Sequence, residues 1–244
     1  MIVQNIDKIR QRLSGATAMD ELHALCRDYS EALGFQHFVY ALRVPTHFAD
    51  ARLILIDGYP PSWVKHYFEQ HHFEADPVMA YCTQHVVPMC WSDLRLEPGS
   101  QAERMMQEAS SFGLRDGVTM PLHSPQGELG ILSFAVDAAP EEARATCQSA
   151  LVQVQMLAGY LHEAVRRVSG LLDNGGPVLT SREIECLRWA ADGKTSGEIA
   201  QLLGLSESTA NFHLNNVMRK LDVVNRQQAV AKATIQGLIQ PLPF

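Results

Sequence analysis

The sequence predicts two domains: an α+β sandwich with helices on both faces of a mainly antiparallel sheet, then an all-α domain of four helices built around a helix-turn-helix. Three observations carry this. Short β runs alternate with helical stretches as far as about residue 168. The run Asp173-Asn174-Gly175-Gly176-Pro177 then interrupts all periodicity. Beyond it, Lys194–Leu221 reads as two amphipathic helices across a tight corner. The boundaries follow as 1–168, a linker over 169–178, and 179–244.

Taken in order, residues from about Ile2 to Leu33 read as two helices parted at Ser14-Gly15, the second with Leu22, Leu25, Cys26 and Tyr29 on one stripe and a stop at Gly34. Two β runs follow, Phe38–Arg43, ended by Pro45, and Arg52–Ile56, ended by the turn Asp57-Gly58. Helices are expected over about Pro61–Gln70 and Val78–Gln84; the residue before Pro77 is pushed out of the helical region. Helical periodicity resumes over Ala102–Phe112. The β runs Gly117–Leu122 and Leu129–Val136 flank Ser124-Pro125-Gln126-Gly127 as a hairpin. One long helix, Glu141–Val168, is expected to turn Val152, Gln155, Met156, Leu157, Tyr160 and Leu161 inward.

In the C-terminal part the first helix, about Ser196–Leu203, puts Ile199, Leu202 and Leu203 on one stripe. The second, about Ser208–Leu221, buries Ala210, Leu214, Val217 and Leu221. Gly204 suits the positive-φ cap of the first helix, and Ser206 suits the N-cap of the second, with Thr209 where a capping box would have a carboxylate. A last helix over about Arg226–Gln236 carries Ala229, Val230 and Ala233 on one stripe.

At 100° per residue, Ser208, Asn211, Asn215 and Arg219 fall across from the buried stripe of the second helix. Asn pairs in bidentate fashion with adenine and Arg with guanine, whereas a merely solvated face favours Glu and Lys. Phe212 also points outward, against thymine methyls or sugars, or against a neighbouring domain. Lys194, Thr195, Thr209, His213 and Lys220 complete the face expected to meet double-stranded DNA.

Charge is distributed to match. Residues 1–174 carry 13 basic against 21 acidic side chains, and residues 175–244 carry 7 against 6, within a total of −7. The C-terminal part thus escapes the acidity of the rest, but only mildly, so affinity must lean on base contacts and on dimerisation. The five cysteines, Cys26, Cys82, Cys90, Cys147 and Cys186, form no C-x-x-C pair and join no His tract, and His71-His72 lacks further ligands at zinc spacing. They read as reduced, buried thiols. No metal or cofactor is expected. The amphipathic start, with charges throughout, is neither a secretory signal nor a membrane span, so a bacterial cytoplasm is the expected compartment.

With both halves in view, Leu179-Thr180-Ser181-Arg182-Glu183-Ile184-Glu185-Cys186-Leu187, then Gly193-Lys194-Thr195 and the near-verbatim Phe212–Leu221, resemble the LuxR/GerE-type DNA-binding domain. Response regulators share that domain, but their phosphate-accepting aspartate pocket has no counterpart in Met1–Leu122. The N-terminal half instead resembles the autoinducer-binding domain of quorum-sensing LuxR regulators, most like the LasR-type branch. The residues are Tyr59-Pro60-x-x-Trp63-x-x-x-Tyr67, Asp76-Pro77, Trp91, Gly113-Leu114, Gly117-x-Thr119-Met120-Pro121-Leu122 and Gly127-Glu128-Leu129-Gly130-x-Leu132-Ser133.

The resemblance implies an effector, an N-acyl-homoserine lactone. Asp76 would accept its amide N–H, Trp63 would donate to the lactone carbonyl, and Tyr59 and Ser133 would donate to the acyl carbonyl, because buried polar ligand groups must be paired. Trp91 and Tyr67 would wall the head group, with Thr119 in the same set; Val39, Ala41, Leu53, Leu55, Val78 and Leu114 would line the acyl chain. Each has a plainer reading: Trp63 and Trp91 as core, Asp76 as a helix cap. Val64 stands where the LasR-like pattern has Arg, while Arg43, on a strand position facing the pocket, either replaces that donor or neutralises a surface carboxylate. The resemblance further implies a homodimer through Glu141–Val168 and the last helix, RNA polymerase as a partner and no membrane. A lactone-degrading enzyme is disfavoured: there is no zinc motif, G-x-S-x-G elbow or N-terminal nucleophile. A regulator that works without a lactone of its own, or on another small molecule, stays open.

Overall fold

The computed structural model describes residues 2–47, 50–124, 127–172 and 178–241. Its elements follow the chain as α1 (Ile2–Gly15), α2 (Met19–Ala32), β1 (His37–His47), β2 (Asp50–Asp57), α3 (Pro61–Glu69), α4 (Pro77–Gln84), β3 (Met89–Cys90), α5 (Gln101–Ser111), β4 (Asp116–His123), β5 (Leu129–Val136) and α6 (Pro140–Val168). The C-terminal part holds α7 (Ser181–Ala191), α8 (Ser196–Leu203), α9 (Glu207–Leu221) and α10 (Arg226–Ile235). Short 3-10 turns stand at His72–Glu74 and Trp91–Asp93. Contacts divide the chain into two compact units. One comprises Met1–Arg43, Leu53–His123 and Glu128–Asp173, the other Val44–Arg52, Ser124–Gly127 and Asn174–Phe244. The expected break Asp173–Pro177 and the centre of the expected turn, Pro125-Gln126, lie outside the described residues.

In the first unit the strands order as β2-β1-β5-β4-β3. β1 runs antiparallel to β5, with Val39 opposite Ser133, and β4 antiparallel to β5, with Thr119 opposite Ser133. Side chains alternate across the pleat. One face carries Tyr40, Leu42, Val118, Leu132 and Phe134, all buried, and α6 covers it, with the Tyr40 hydroxyl 2.7 Å from His162 Nδ1. α1 and α2 pack on α6 in turn. The opposite face carries Val39, Ala41, Ile131 and Ser133 and meets the α3–α5 segment across a cavity. This is the expected α/β/α sandwich. The two-residue strand β3 has too little periodicity to be read from sequence.

The long helix is present, but its buried face differs from expectation. Ala143, Cys147, Ala150, Val154, Leu157, Ala158, Leu161, Ala164 and Val165 are buried, whereas Val152 is 62% and Tyr160 38% exposed. Alanines fill much of the buried face beside Val154, Leu157, Leu161 and Val165, so Val152 and Tyr160 turn outward while Leu157 and Leu161 stay inward as expected.

Gly117 on β4 marks a close approach. A Cβ there would stand 2.7 Å from the Phe134 carbonyl oxygen and 2.7 Å from the Trp91 ring. Because the Phe134 oxygen belongs to the paired strand and cannot retreat cheaply, Gly117→Ala is expected to cost the unit about 1–3 kcal/mol in a denaturant melt.

The second unit buries Leu179, Cys186, Leu187, Ile199, Ala210, Leu214, Val217, Leu221, Ala229 and Ala233 in one core. Gly204 takes φ 66° at the end of α8, and the Ser206 side chain accepts from the Thr209 amide at the start of α9. The stripe of α9 is buried as expected. Two expectations change. Leu202 is 51% exposed, its place taken by Ala200, and the α10 stripe is spent on this unit's own core through Ala229 and Ala233. Thr180 and Thr195 each close a capping box, with Glu183 and Glu198. The T-x-x-E spacing of both was open to reading in the sequence.

Candidate ligand cavity and nucleic-acid interface

Between the sheet and α3–α5 lies a cavity of about 220 Å³. Of the residues expected to hold a ligand, Tyr59, Trp63, Tyr67, Asp76, Trp91, Ser133, Val39, Ala41, Leu53, Leu55, Val78 and Leu114 all line it. Thr119 does not. It is fully buried behind Ser133, where its Oγ1 accepts from Trp91 Nε1 at 2.8 Å and lies 2.7 Å from Ser133 Oγ. Arg43 is exposed and absent from the lining, while Val64 is part of it. Val64, Phe68, Phe73, Met79, Met105, Met106, Ala109 and Ile131 extend the apolar wall beyond the expected set. The spacing of Met105 and Ala109, one turn apart on α5, was the available sign.

Polar groups cluster on this apolar wall. Asp76 caps α4 through Oδ1, which accepts from the Val78 and Met79 amides at 2.8 and 3.2 Å, and Oδ2 accepts from the Tyr67 hydroxyl at 2.8 Å. The cap reading and the site reading therefore hold together on different oxygens. Burial raises the Asp76 pKa, opposed by the Tyr67 hydroxyl and the two amides. Burial also holds the Tyr59 and Tyr67 hydroxyls far above their ordinary range, with the Asp76 carboxylate adding to it, so both stay protonated donors. The Tyr59 oxygen is buried without a hydrogen bond of good geometry among the described residues, and only the Ser133 hydroxyl acts on it as a weak side-chain partner. Trp63 is held by rings: His72 stacks on it at 5.7 Å and 20°, and Tyr67 meets it edge-on at 5.8 Å.

His66, His72 and Glu108 converge next to Trp63, with the two Nε2 atoms 2.7 and 3.0 Å from Glu108 Oε2. The sequence reading left His72 without companions, because spacings of six and thirty-six residues match no short motif.

On α9, Ser208, Asn211, Phe212, Asn215 and Arg219 are exposed, Phe212 at 61%. His213 and Thr209 are half-buried, and the Thr209 hydroxyl lies 2.7 Å from Ser206 Oγ. Thr195 is exposed but hydrogen-bonds Glu198 at 2.8 Å, and Lys194 is half-buried near the same carboxylate. Lys220 is a correction. Its ammonium is tied inside the unit, donating to buried Glu183 at 2.7 Å and to the Val178 carbonyl at 2.9 Å.

Burial would raise the Glu183 pKa, but Lys220 and Thr180 outweigh it and hold the carboxyl below its ordinary 4.5. A depressed carboxyl adds stability above the unfolded value, and that stability drains away as pH falls through the folded one. Lys220→Gln is thus expected to destabilise the unit by about 2 kcal/mol at neutral pH, discounted for the part-exposed ammonium, and to flatten its acid unfolding below about pH 4.5. Urea melts at pH 7 and pH 4 check both.

A unit with a small-molecule cavity and a unit with a helix-turn-helix, in one chain, define a single-chain transcription regulator. Residues 18–165 match the Autoinducer binding domain and residues 177–233 match the Bacterial regulatory proteins, luxR family. The chain belongs to the LuxR family of transcription regulators and is not an enzyme. It is 35% identical to the transcriptional activator AhyR of Aeromonas hydrophila over 95% of this chain and 90% of that one. It is also 35% identical to the transcriptional activator SolR of Ralstonia nicotianae over 91% of this chain and 94% of that one. The solved structure of SdiA in complex with octanoyl-rac-glycerol matches with a TM-score of 0.77 at 26% identity, covering 98% of this chain and 97% of that one. Among the described residues no helix is long and apolar enough to cross a membrane.

Proposed function

We propose that this chain is a dimeric, cytoplasmic transcription activator that binds an N-acyl-homoserine lactone through residues 1–168 and, beyond a linker over 169–178, a pseudo-palindromic operator through residues 179–244. The carrying observation is the cavity's match of the Asp76 carboxylate with several donors on a mainly apolar wall, a second lining carboxylate, Asp57, being engaged by the Tyr59 amide. Asp76 Oδ2 serves the amide N–H, the Trp63 indole serves the lactone carbonyl, and the Tyr59 hydroxyl takes the acyl carbonyl as the well-placed partner it otherwise lacks. In the hydrogen-bond chain from Trp91 through Thr119 to Ser133, donation by Thr119 to Ser133 would free the Ser133 proton for the same carbonyl. Val64 offers no donor and Arg43 is outside the lining, which supports an acyl chain without a 3-oxo group.

Val152, Met156 and Tyr160, at i, i+4 and i+8 on the outward side of α6, supply apolar surface for the dimer, Val152 and Tyr160 being exposed. Asn211, Asn215 and Arg219 read bases in each half-site, and RNA polymerase is the partner at the promoter. A second reading, another acyl ligand, is favoured by the octanoyl-rac-glycerol complex of SdiA.

The test is an operator mobility shift and a thermal melt with a lactone series and with octanoylglycerol in parallel. Lactone-dependent shift and stabilisation are expected, with the lactone recovered intact. A response to octanoylglycerol alone would favour the second reading, and no response to any lactone would remove the first.

A further inference from the structure

His66 on α3, His72 in the 3-10 turn after it and Glu108 on α5 come from three separate elements, yet one ligand atom of each lies within 4.8 Å of the other two. Neither the effector cavity nor the recognition helix uses them. Both histidines aim the same nitrogen, Nε2, at the same carboxylate oxygen. The chain reaches this arrangement through a left-handed step at His71, φ 52°, an uncommon conformation for any residue but glycine, which folds His72 back onto α3. We propose that His66, His72 and Glu108 form a transition-metal site of the two-histidine, one-carboxylate type, with zinc its expected ion.

The geometry is close to what that ion needs. Zinc takes nitrogen and oxygen donors at about 2.0–2.1 Å in a tetrahedron, which sets the donors roughly 3.3 Å apart. The two histidine–carboxylate separations, 2.7 and 3.0 Å, need open by only a few tenths of an ångström, and the two histidine nitrogens lie within 4.8 Å of each other. One ligand is already fixed: the His72 side chain is 7% exposed and stacked on Trp63. The other two face outward, His66 at 31% and Glu108 at 44% side-chain exposure, so an ion enters from solvent and a water completes its shell. Two imidazoles with one carboxylate suit zinc, cobalt or ferrous iron, whereas magnesium and calcium prefer all-oxygen shells. The rival is a carboxylate bridging two histidines by hydrogen bonds alone.

A bound ion would clamp α3, the 3-10 turn and α5. These elements carry Trp63, Tyr67, Phe68, Phe73 and Met105 of the cavity wall, so metal and effector would steady the same unit from opposite sides of Trp63.

The full chain, stripped with a chelator, is titrated with cobalt(II) and then zinc(II) at neutral pH. One equivalent of cobalt is expected to raise visible d–d absorption of a low-coordinate nitrogen–oxygen site, and one equivalent of zinc to bleach it. His66→Gln and Glu108→Gln, both at part-exposed side chains, are expected to keep the thermal transition of the metal-free protein and to bind zinc at least about tenfold more weakly. Absence of saturable binding, or zinc affinity in both variants unchanged from the parent protein, would overturn the site and leave the hydrogen-bonded triad. Effector binding is read separately on the metal-free protein, so the lactone assignment and the metal site can fail independently.

Discussion

Asp76→Ala is expected to destabilise the N-terminal unit by about 2–4 kcal/mol and to weaken effector binding about tenfold or more. The first figure joins two losses. Removing the N-cap of α4 strands the Val78 and Met79 amides, about 1 kcal/mol, and removing the acceptor of the Tyr67 hydroxyl strands a buried donor, about 1–3 kcal/mol. The second figure comes from the amide of the proposed lactone, which would be left without a partner. Two companion variants separate the contributions. Asp76→Asn keeps a capping oxygen, so stability should change little while affinity falls by about 1–3 kcal/mol. Trp63→Phe removes an indole N–H from a ring held by stacking and should behave the same way. An unchanged dose–response in Asp76→Asn would mean that the head group lies elsewhere. Chemical melts and ligand titrations on the same preparations give both numbers.

Asn211→Ala and Asn215→Ala are each expected to cost operator binding about 2–6 kcal/mol. A bidentate asparagine–adenine pair discriminates by about 1–3 kcal/mol, and the proposed dimer would present the substitution in both half-sites. Binding to unrelated DNA should stay the same, since phosphate contacts dominate there. The melting temperature should also hold, because both side chains are exposed. An operator selected from a randomised pool by the parent protein, compared with a scrambled duplex by fluorescence anisotropy, supplies the measurement. Loss of ligand-dependent solubility instead would mean that this face of α9 packs against protein.

The helix-turn-helix was legible because its signals are local. Gly204 and Ser206 punctuate the corner, and one face of α9 is wholly apolar, so two turns of sequence suffice. The residues of the cavity wall were named one by one only through resemblance, and the structure brings nearly all of them to line one cavity. The misplacements share one cause: bulk was weighed more heavily than closeness of approach. α6 buries Ala143, Ala150, Ala158 and Ala164 beside Val154, Leu157 and Leu161, and α10 enters its core through Ala229 and Ala233 with Val230 packed against it, so small residues carry as much of each buried face as large ones. Thr119 and Lys220 erred differently. Both are polar groups whose partners, Trp91 and Glu183, lie 28 and 37 residues away, a pairing that periodicity cannot see. The same distance in sequence hid Glu108 from His66 and His72.

All five thiols are free and buried, four of them, Cys26, Cys82, Cys90 and Cys147, in the first unit and Cys186 in the second. Burial pushes Cys26 and Cys82 up to about 12, so even a reagent that slipped inside would find almost no thiolate there. The Cys147 thiol lowers Cys90 instead, so there burial alone makes alkylation wait on opening. The asymmetry makes the chain its own pair of clocks: adducts on four cysteines time excursions of the sensing half, and an adduct on the fifth times those of the DNA-binding half. A small molecule held in the cavity is expected to slow the first clock, and the second clock then reads how far that steadying reaches the other half.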